Sequence, residues 1–135
     1  MSTGYSGTPL STKLGVRDGQ LTWRLAMPDS VVAEIAEGGS TPRLISAPVA
    51  ALEMAHLFIT ALTDLVARLS ELRHLMAPTG MIWVSWPKKA AKVPTDITED
   101  TIREVALPMG YVDVKVCAVD AVWSGLKLVI RKSER

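Results

Sequence analysis

The chain has one cysteine, two histidines, one phenylalanine and two tyrosines in 135 residues. Each scarcity excludes something. A lone thiol, Cys117, cannot close an internal disulfide, so the sequence suits a reducing compartment. His56 and His74 are far apart in the chain, and no C-x-x-C or H-E-x-x-H spacing accompanies them. No metal site is therefore expected. There is no G-x-S-x-G elbow. No run approaches the ~18 apolar residues that a membrane span needs. The opening MSTGYSGTPLSTK lacks the apolar core of a signal peptide. A net charge of +1 gives no sign of an electrostatic nucleic-acid binder. The expectation is a cytoplasmic protein with neither a nucleic-acid nor a membrane partner.

What is present is ordinary for a globular domain: 48% hydrophobic and 21% charged residues. The length suits one domain over residues 1–135 with a real core. Residues 1–8 are small and polar and read as a flexible arm. Pro9 to Leu14 suits one helical turn stopped by Gly15. Leu21 to Met27 alternates as a first strand, and Pro28 closes it. Asp29 or Ser30 can cap a short helix from Val31 to Glu37. Arg43 to Ser46 reads as a second, short strand. From Ala51 to Met76 the apolar residues recur at helical spacing, through Phe58, Leu62, Leu65, Leu69, Leu72 and Met76. Such a helix would be ~39 Å long, more than a small sheet is tall, which suggests a break or a dimer contact. Pro78-Thr79-Gly80 reads as its stop.

Met81 to Glu104 organises the rest. Ile82, Val84 and Trp86 alternate with Trp83 and Ser85, so the strand is apolar on both faces and suits cover on both sides. Pro87 ends it. Lys88, Lys89 and Lys92 follow. Asp96 with Glu99 three residues on suggests a capping box opening a helix that stops near Pro108 or Gly110. Tyr111 to Val119 and Leu126 to Arg131 then read as strands joined closely enough to be antiparallel. Val112, Val114, Val116 and Ala118 would share one apolar face. The expected fold is α/β: a small Rossmann-like three-layer domain. Its mostly parallel sheet has about five strands and ends in an antiparallel pair.

Two resemblances rest on these residues. Arg43 to Arg131, with Pro78-Thr79-Gly80 between helix and strand and a terminal hairpin, resembles the C-terminal half of class I Rossmann-like methyltransferases. That resemblance implies the sheet order first, second, third, fifth, fourth. The chain departs from the pattern after its first strand. Ala26-Met27-Pro28-Asp29 stands where those enzymes carry a glycine-rich loop, and a strand–helix–strand unit is missing. The stretches GYSGTPL, WVSWPKK and DVKVCAVD through WSGLK are also similar to a small bacterial family of unknown function, typical of actinobacteria. That resemblance implies no activity.

The candidate site is the carboxyl end of the central strand. If the SWPKK end meets the DAVWSG turn, a crevice would gather Trp86, Lys88, Lys89, Asp96, Asp120, Trp123 and Ser124. Indole walls with a few placed polar groups suit a small anionic ligand. The same indoles also suit plain core packing. The preferred expectation is a non-enzymatic domain that binds a ligand or protein partner there and forms a homodimer. The alternative is a small-molecule enzyme in which Lys88 or Lys89 neutralises an anionic substrate and Asp96 or Asp120 moves a proton. A degenerate S-adenosylmethionine-dependent methyltransferase is the third reading. The residues name no cofactor.

Overall fold

The computed structural model describes residues 7–135, so most of the arm expected at residues 1–8 lies outside the described residues. Pro9 leads into helix α1 (Leu10–Leu14), and Gly15 ends it in the left-handed conformation at φ 77°, which most side chains resist. Strand β1 (Leu21–Leu25), helix α2 (Asp29–Ala36) and strand β2 (Arg43–Ile45) follow, close to where the residue pattern puts them.

The next segment departs from the expectation. Leu52–Phe58 is a strand, β3, and the helix, α3, spans only Leu62–Leu72. The single helix expected over 51–76 is therefore two elements. The segment LEMAHLF is buried without a break from Met54 to Phe58. A run that is apolar on both faces satisfies helical spacing and a fully buried strand equally. Leu65, Leu69 and Leu72 keep the helical spacing and form the buried stripe of α3.

Pro78-Thr79-Gly80 does not stop a helix. It lies inside strand β4 (Met76–Pro87). There β4 bulges, because Leu52 opposes Met76 but Met54 opposes Met81. From Met81 to Pro87 the strand is buried throughout, as its two-sided apolar pattern requires. Helix α4 (Glu99–Ala106) and strands β5 (Tyr111–Ala118) and β6 (Trp123–Ile130) complete the fold.

The six strands lie in the order β2-β1-β3-β4-β6-β5. The first four are parallel, and β6 pairs antiparallel with both β4 and β5. The mostly parallel sheet and its antiparallel ending are those expected. The detailed order is not: β1 lies inside β2, and β3 separates β1 from β4. Helices α1 and α2 cover one face, packing Leu10, Leu14, Val31 and Ile35 on Met54, Phe58 and Trp83. Helices α3 and α4 cover the other, packing Leu65, Leu69 and Ile102 on Leu57, Val84 and Trp86. Two buried hydroxyl and indole groups bolt these layers to the sheet. Trp83 Nε1 donates to the Leu14 carbonyl at 2.8 Å, and the Tyr111 hydroxyl donates to the Leu69 carbonyl at 2.7 Å.

Strand β5 is the outermost on its side, and its expected apolar face is left largely open. Val114 is 56% exposed and Val116 46%. A register shift between Asp113 and Lys115 breaks the alternation. Such a bulge blunts an edge against further strand pairing.

Candidate functional site

The four parallel strands end on one rim of the sheet. From β1 the chain passes through α2 to β2 on one side, and the next strand, β3, returns to the other side of β1. Strand order thus reverses between β1 and β3. Open α/β sheets bind ligands in the crevice outside the carboxyl ends at such a point. Two loops form it here: Ala26-Met27-Pro28 after β1 and Thr60-Ala61 after β3. Ala26 is left-handed at φ 55°, a conformation that costs a residue with a Cβ about 1 kcal/mol. Helix α2 opens at Pro28 with no side-chain cap.

The loop after β3 is held by a distant segment. Thr95 Oγ1 donates to the Thr60 carbonyl at 2.6 Å, and Asp96 Oδ1 accepts from the Leu62 amide at 2.7 Å. Asp96 was expected to open α4. It instead caps α3, and Thr98 caps α4 in a reciprocal pair with Thr101. The reach is tertiary, so no local motif announces it. Asp96→Ala is expected to cost about 1 kcal/mol of stability and to speed hydrogen exchange in the first turn of α3. Unchanged exchange there would mean that the cap is dispensable.

On the α1/α2 side of the rim, Arg24 of β1 and His56 of β3 are partners in register. His56 is 1% exposed and shares a 2.7 Å hydrogen bond between its Nε2 and Ser85 Oγ on β4. Its ring stacks on Phe58 with centroids 4.6 Å apart. Burial, and secondarily the Arg24 charge, pull the imidazole pKa down to about 3. The ring is therefore neutral at pH 7. The helix expected over 51–76 would have carried His56. The strand assignment places it in the core. Its signal was the alternation Met54, His56, Phe58, masked by the apolar residues between them.

The sheet does bring the SWPKK end and the DAVWSG turn together. Trp86 is partnered with Ser124 and Pro87 with Trp123, and the Lys88 amide donates to the Val122 carbonyl at 2.8 Å. The two indoles nevertheless do not wall one crevice. Trp86 belongs to the core under α3 and α4, whereas Trp123 packs on the α1/α2 side, edge-on to Phe58 at 5.0 Å. Neighbours across a β pair share a face only in register, and Trp86 and Trp123 are offset by one residue. Asp120 Oδ1 accepts from the Val122 and Trp123 amides at 2.8 and 2.7 Å and so shapes the turn. Lys88 is partly exposed and Lys89 exposed, and neither has an ion pair among the described residues. Asp96 stands apart from this group, at the β3–α3 loop.

Among the described residues, no group of three or more His, Cys, Asp or Glu is placed to hold a metal ion. No helix among them is long and apolar enough to cross a membrane.

A mostly parallel six-stranded sheet of this order, closed by an antiparallel pair, is a Rossmann-like methyltransferase fold. No family model and no curated protein matches the chain. Solved structures do. The chain is similar to an S-adenosylmethionine-dependent methyltransferase from Aquifex aeolicus at 12% identity and a TM-score of 0.62, over 88% of this chain and 86% of that one. It is similar to magnesium protoporphyrin IX methyltransferase from Synechocystis PCC 6803 at 12% identity and a TM-score of 0.58, over 90% and 74%. It is also similar to LepI, solved in complex with S-adenosylmethionine, at 13% identity and a TM-score of 0.56. The match covers 97% of this chain but 49% of that one, so the chain spans about half the length of LepI. Identities this low establish the fold. The expectation of a non-enzymatic binding domain is corrected by the neighbours found: those from Aquifex aeolicus and Synechocystis PCC 6803 are methyltransferases.

Proposed function

We propose that the chain is an S-adenosylmethionine-binding methyltransferase whose site is the rim between β1 and β3. The observation that carries this reading is the reversal of strand order at β1 and β3. It lies in a fold similar to that of a methyltransferase solved with that cofactor bound and to that of LepI solved in complex with it. The residues fit one end of the cofactor. The tight turn at Ala26 and the uncapped first turn of α2 leave backbone amides beside the rim for the amino-acid end. No carboxylate stands directly after β2 to take the ribose hydroxyls: only residues 46–51 separate β2 from β3, and Ser46-Ala47 come first. When bound, the cofactor supplies an electrophilic methyl group on its sulfonium sulfur.

The chain's own part is to bind and orient. Lys88 and Lys89, at the end of β4, would hold a small anionic substrate beside the rim. Trp86, Ser124, Trp123 and Asp120 would fix the β4–β6 corner from which these lysines project. Asp96 would hold the β3–α3 loop that separates the two halves of the site.

Calorimetry with S-adenosylmethionine and S-adenosylhomocysteine tests it. Either ligand at ~100 times its dissociation constant is expected to add ~2.7 kcal/mol of stability. No binding at about 1 mM, equivalent to an affinity weaker than about 4 kcal/mol, would end the proposal. Lys88→Ala with Lys89→Ala is expected to raise the KM for an anionic methyl acceptor while leaving cofactor affinity unchanged. Lost cofactor affinity in that variant would place the lysines in the wrong half of the site.

A further inference from the structure

We propose that Arg24 is an oxyanion-binding group of the rim, holding a ligand carboxylate or phosphate beside buried His56. Burial and pairing among the other arginines make Arg24 stand out. Arg73 and Arg103 are likewise partly buried, and each is answered by acidic side chains: Glu134 at 3.0 Å for Arg73, and Glu99, Asp100 and Asp113 for Arg103. Arg17 and Arg43 lack carboxylate partners but are exposed to water. Arg24 is partly buried and has no hydrogen bond or ion pair among the described residues. Burial pulls its pKa below the ordinary arginine value. A guanidinium that is taken from water and left unanswered is unfavourable. An oxyanion would answer it with paired N–H donors.

Position makes this a site. Arg24 is the penultimate residue of β1, so its strand position lies at the crevice where strand order reverses. Its partner in register is His56, whose Nε2 is tied to Ser85 Oγ and whose ring stacks on Phe58. The imidazole is thereby fixed in place. It carries no proton charge at pH 7 and offers no carboxylate that would compete for the guanidinium. The arrangement supplies one positive charge that no acidic side chain among the described residues answers. The source of the oxyanion is either the amino-acid carboxylate of the proposed cofactor or an anion on the substrate. Its assignment to the cofactor rests on the methyltransferase reading; the oxyanion site itself does not.

The test uses isotope-labelled full chain and inorganic phosphate. Saturable shifts of the Arg24 Nε–H and the His56 ring resonances are expected. The His56 shift should vanish in Arg24→Gln and persist in Arg43→Gln, which removes an exposed arginine of the neighbouring strand. Absence of both shifts in the unaltered chain, or an undiminished His56 shift in Arg24→Gln, overturns the proposal. A second titration separates the sources. Arg24→Gln is expected to weaken S-adenosylhomocysteine by about tenfold or more and to leave 5′-methylthioadenosine, which lacks the amino-acid carboxylate, unchanged. If the phosphate response is lost with Arg24 but S-adenosylhomocysteine binds as before, the site is for a substrate anion. If neither nucleoside binds, the methyltransferase reading fails, and the phosphate titration still decides the role of Arg24.

Discussion

Moving the protein from pH 7 to pH 5 is expected to cost about 2 kcal/mol of folding stability through His56 alone. The imidazole is 1% exposed, and its folded pKa lies at about 3 against an ordinary 6.5. The unfolded chain therefore binds a proton in this window that the native state refuses. Stability from this residue is fully present above pH 6.5. It falls as the pH drops below that value and stops changing near pH 3. Asp113 works in the same direction but lower. Its hydrogen bond with Arg103 holds its carboxyl below the usual aspartate value of 3.8, so its contribution is lost in more acid solution. Between pH 7 and 5 the slope belongs to His56. Urea unfolding at several pH values measures it, and the slope is expected to flatten in His56→Gln. A slope that survives that change would assign the acid sensitivity elsewhere. Ser85→Ala is a companion test. It deprives a buried ring nitrogen of its partner and is expected to cost about 1–3 kcal/mol at pH 7.

Gly80→Ala is expected to destabilise the fold by about 2–3 kcal/mol. A Cβ there would lie 2.9 Å from the Leu52 carbonyl oxygen and 3.1 Å from that of Ala77. Both are backbone atoms and cannot swing aside. The third close atom, the Met76 methyl at 2.9 Å, is the end of a flexible side chain and can move. The close approach exists because β4 bulges where it begins to pair with β3. The bulge also sets the phase of all that follows. Side chains alternate between faces, so a one-residue slip would turn Ser85 away from His56 and carry Trp83 out of reach of the Leu14 carbonyl. Urea unfolding together with the His56 ring shift reads both effects. Wild-type stability in Gly80→Ala would mean that the bulge relaxes freely and does not fix the register.

The wrong helix and the hidden point of strand reversal have one cause. Ala51 to Met76 keeps its apolar residues at helical spacing, but its first half is apolar all round. Periodicity carries no information about a segment buried on every side. Once Leu52–Phe58 is a strand, it must enter the middle of the sheet, because only there are both of its faces covered. The point of strand reversal then falls between β1 and β3, two strands from the β4–β6 corner that the lysines and tryptophans suggested. Nothing local in the sequence joins Arg24 to His56, because thirty-two positions of chain separate them. Their nearness is a product of pairing alone.

The sequence by itself determined the elements whose signals are local. Pro9 and Gly15 bound α1, and the two-sided apolar run Met81 to Trp86 made a central strand. Closely spaced β-branched runs made the antiparallel pair β5 and β6, and with them came the α/β class. Tertiary structure decided which strand lies beside which, that Asp96 caps α3 rather than α4, and that Trp86 and Trp123 face opposite ways. It also decided that Arg24, His56 and Ser85 share one side of the rim. The division follows from the range of the forces. Backbone sterics, capping and side-chain alternation act within a few residues and can be read along the chain. Strand order and the pairing of buried polar groups are settled by burying two faces of a whole sheet at once.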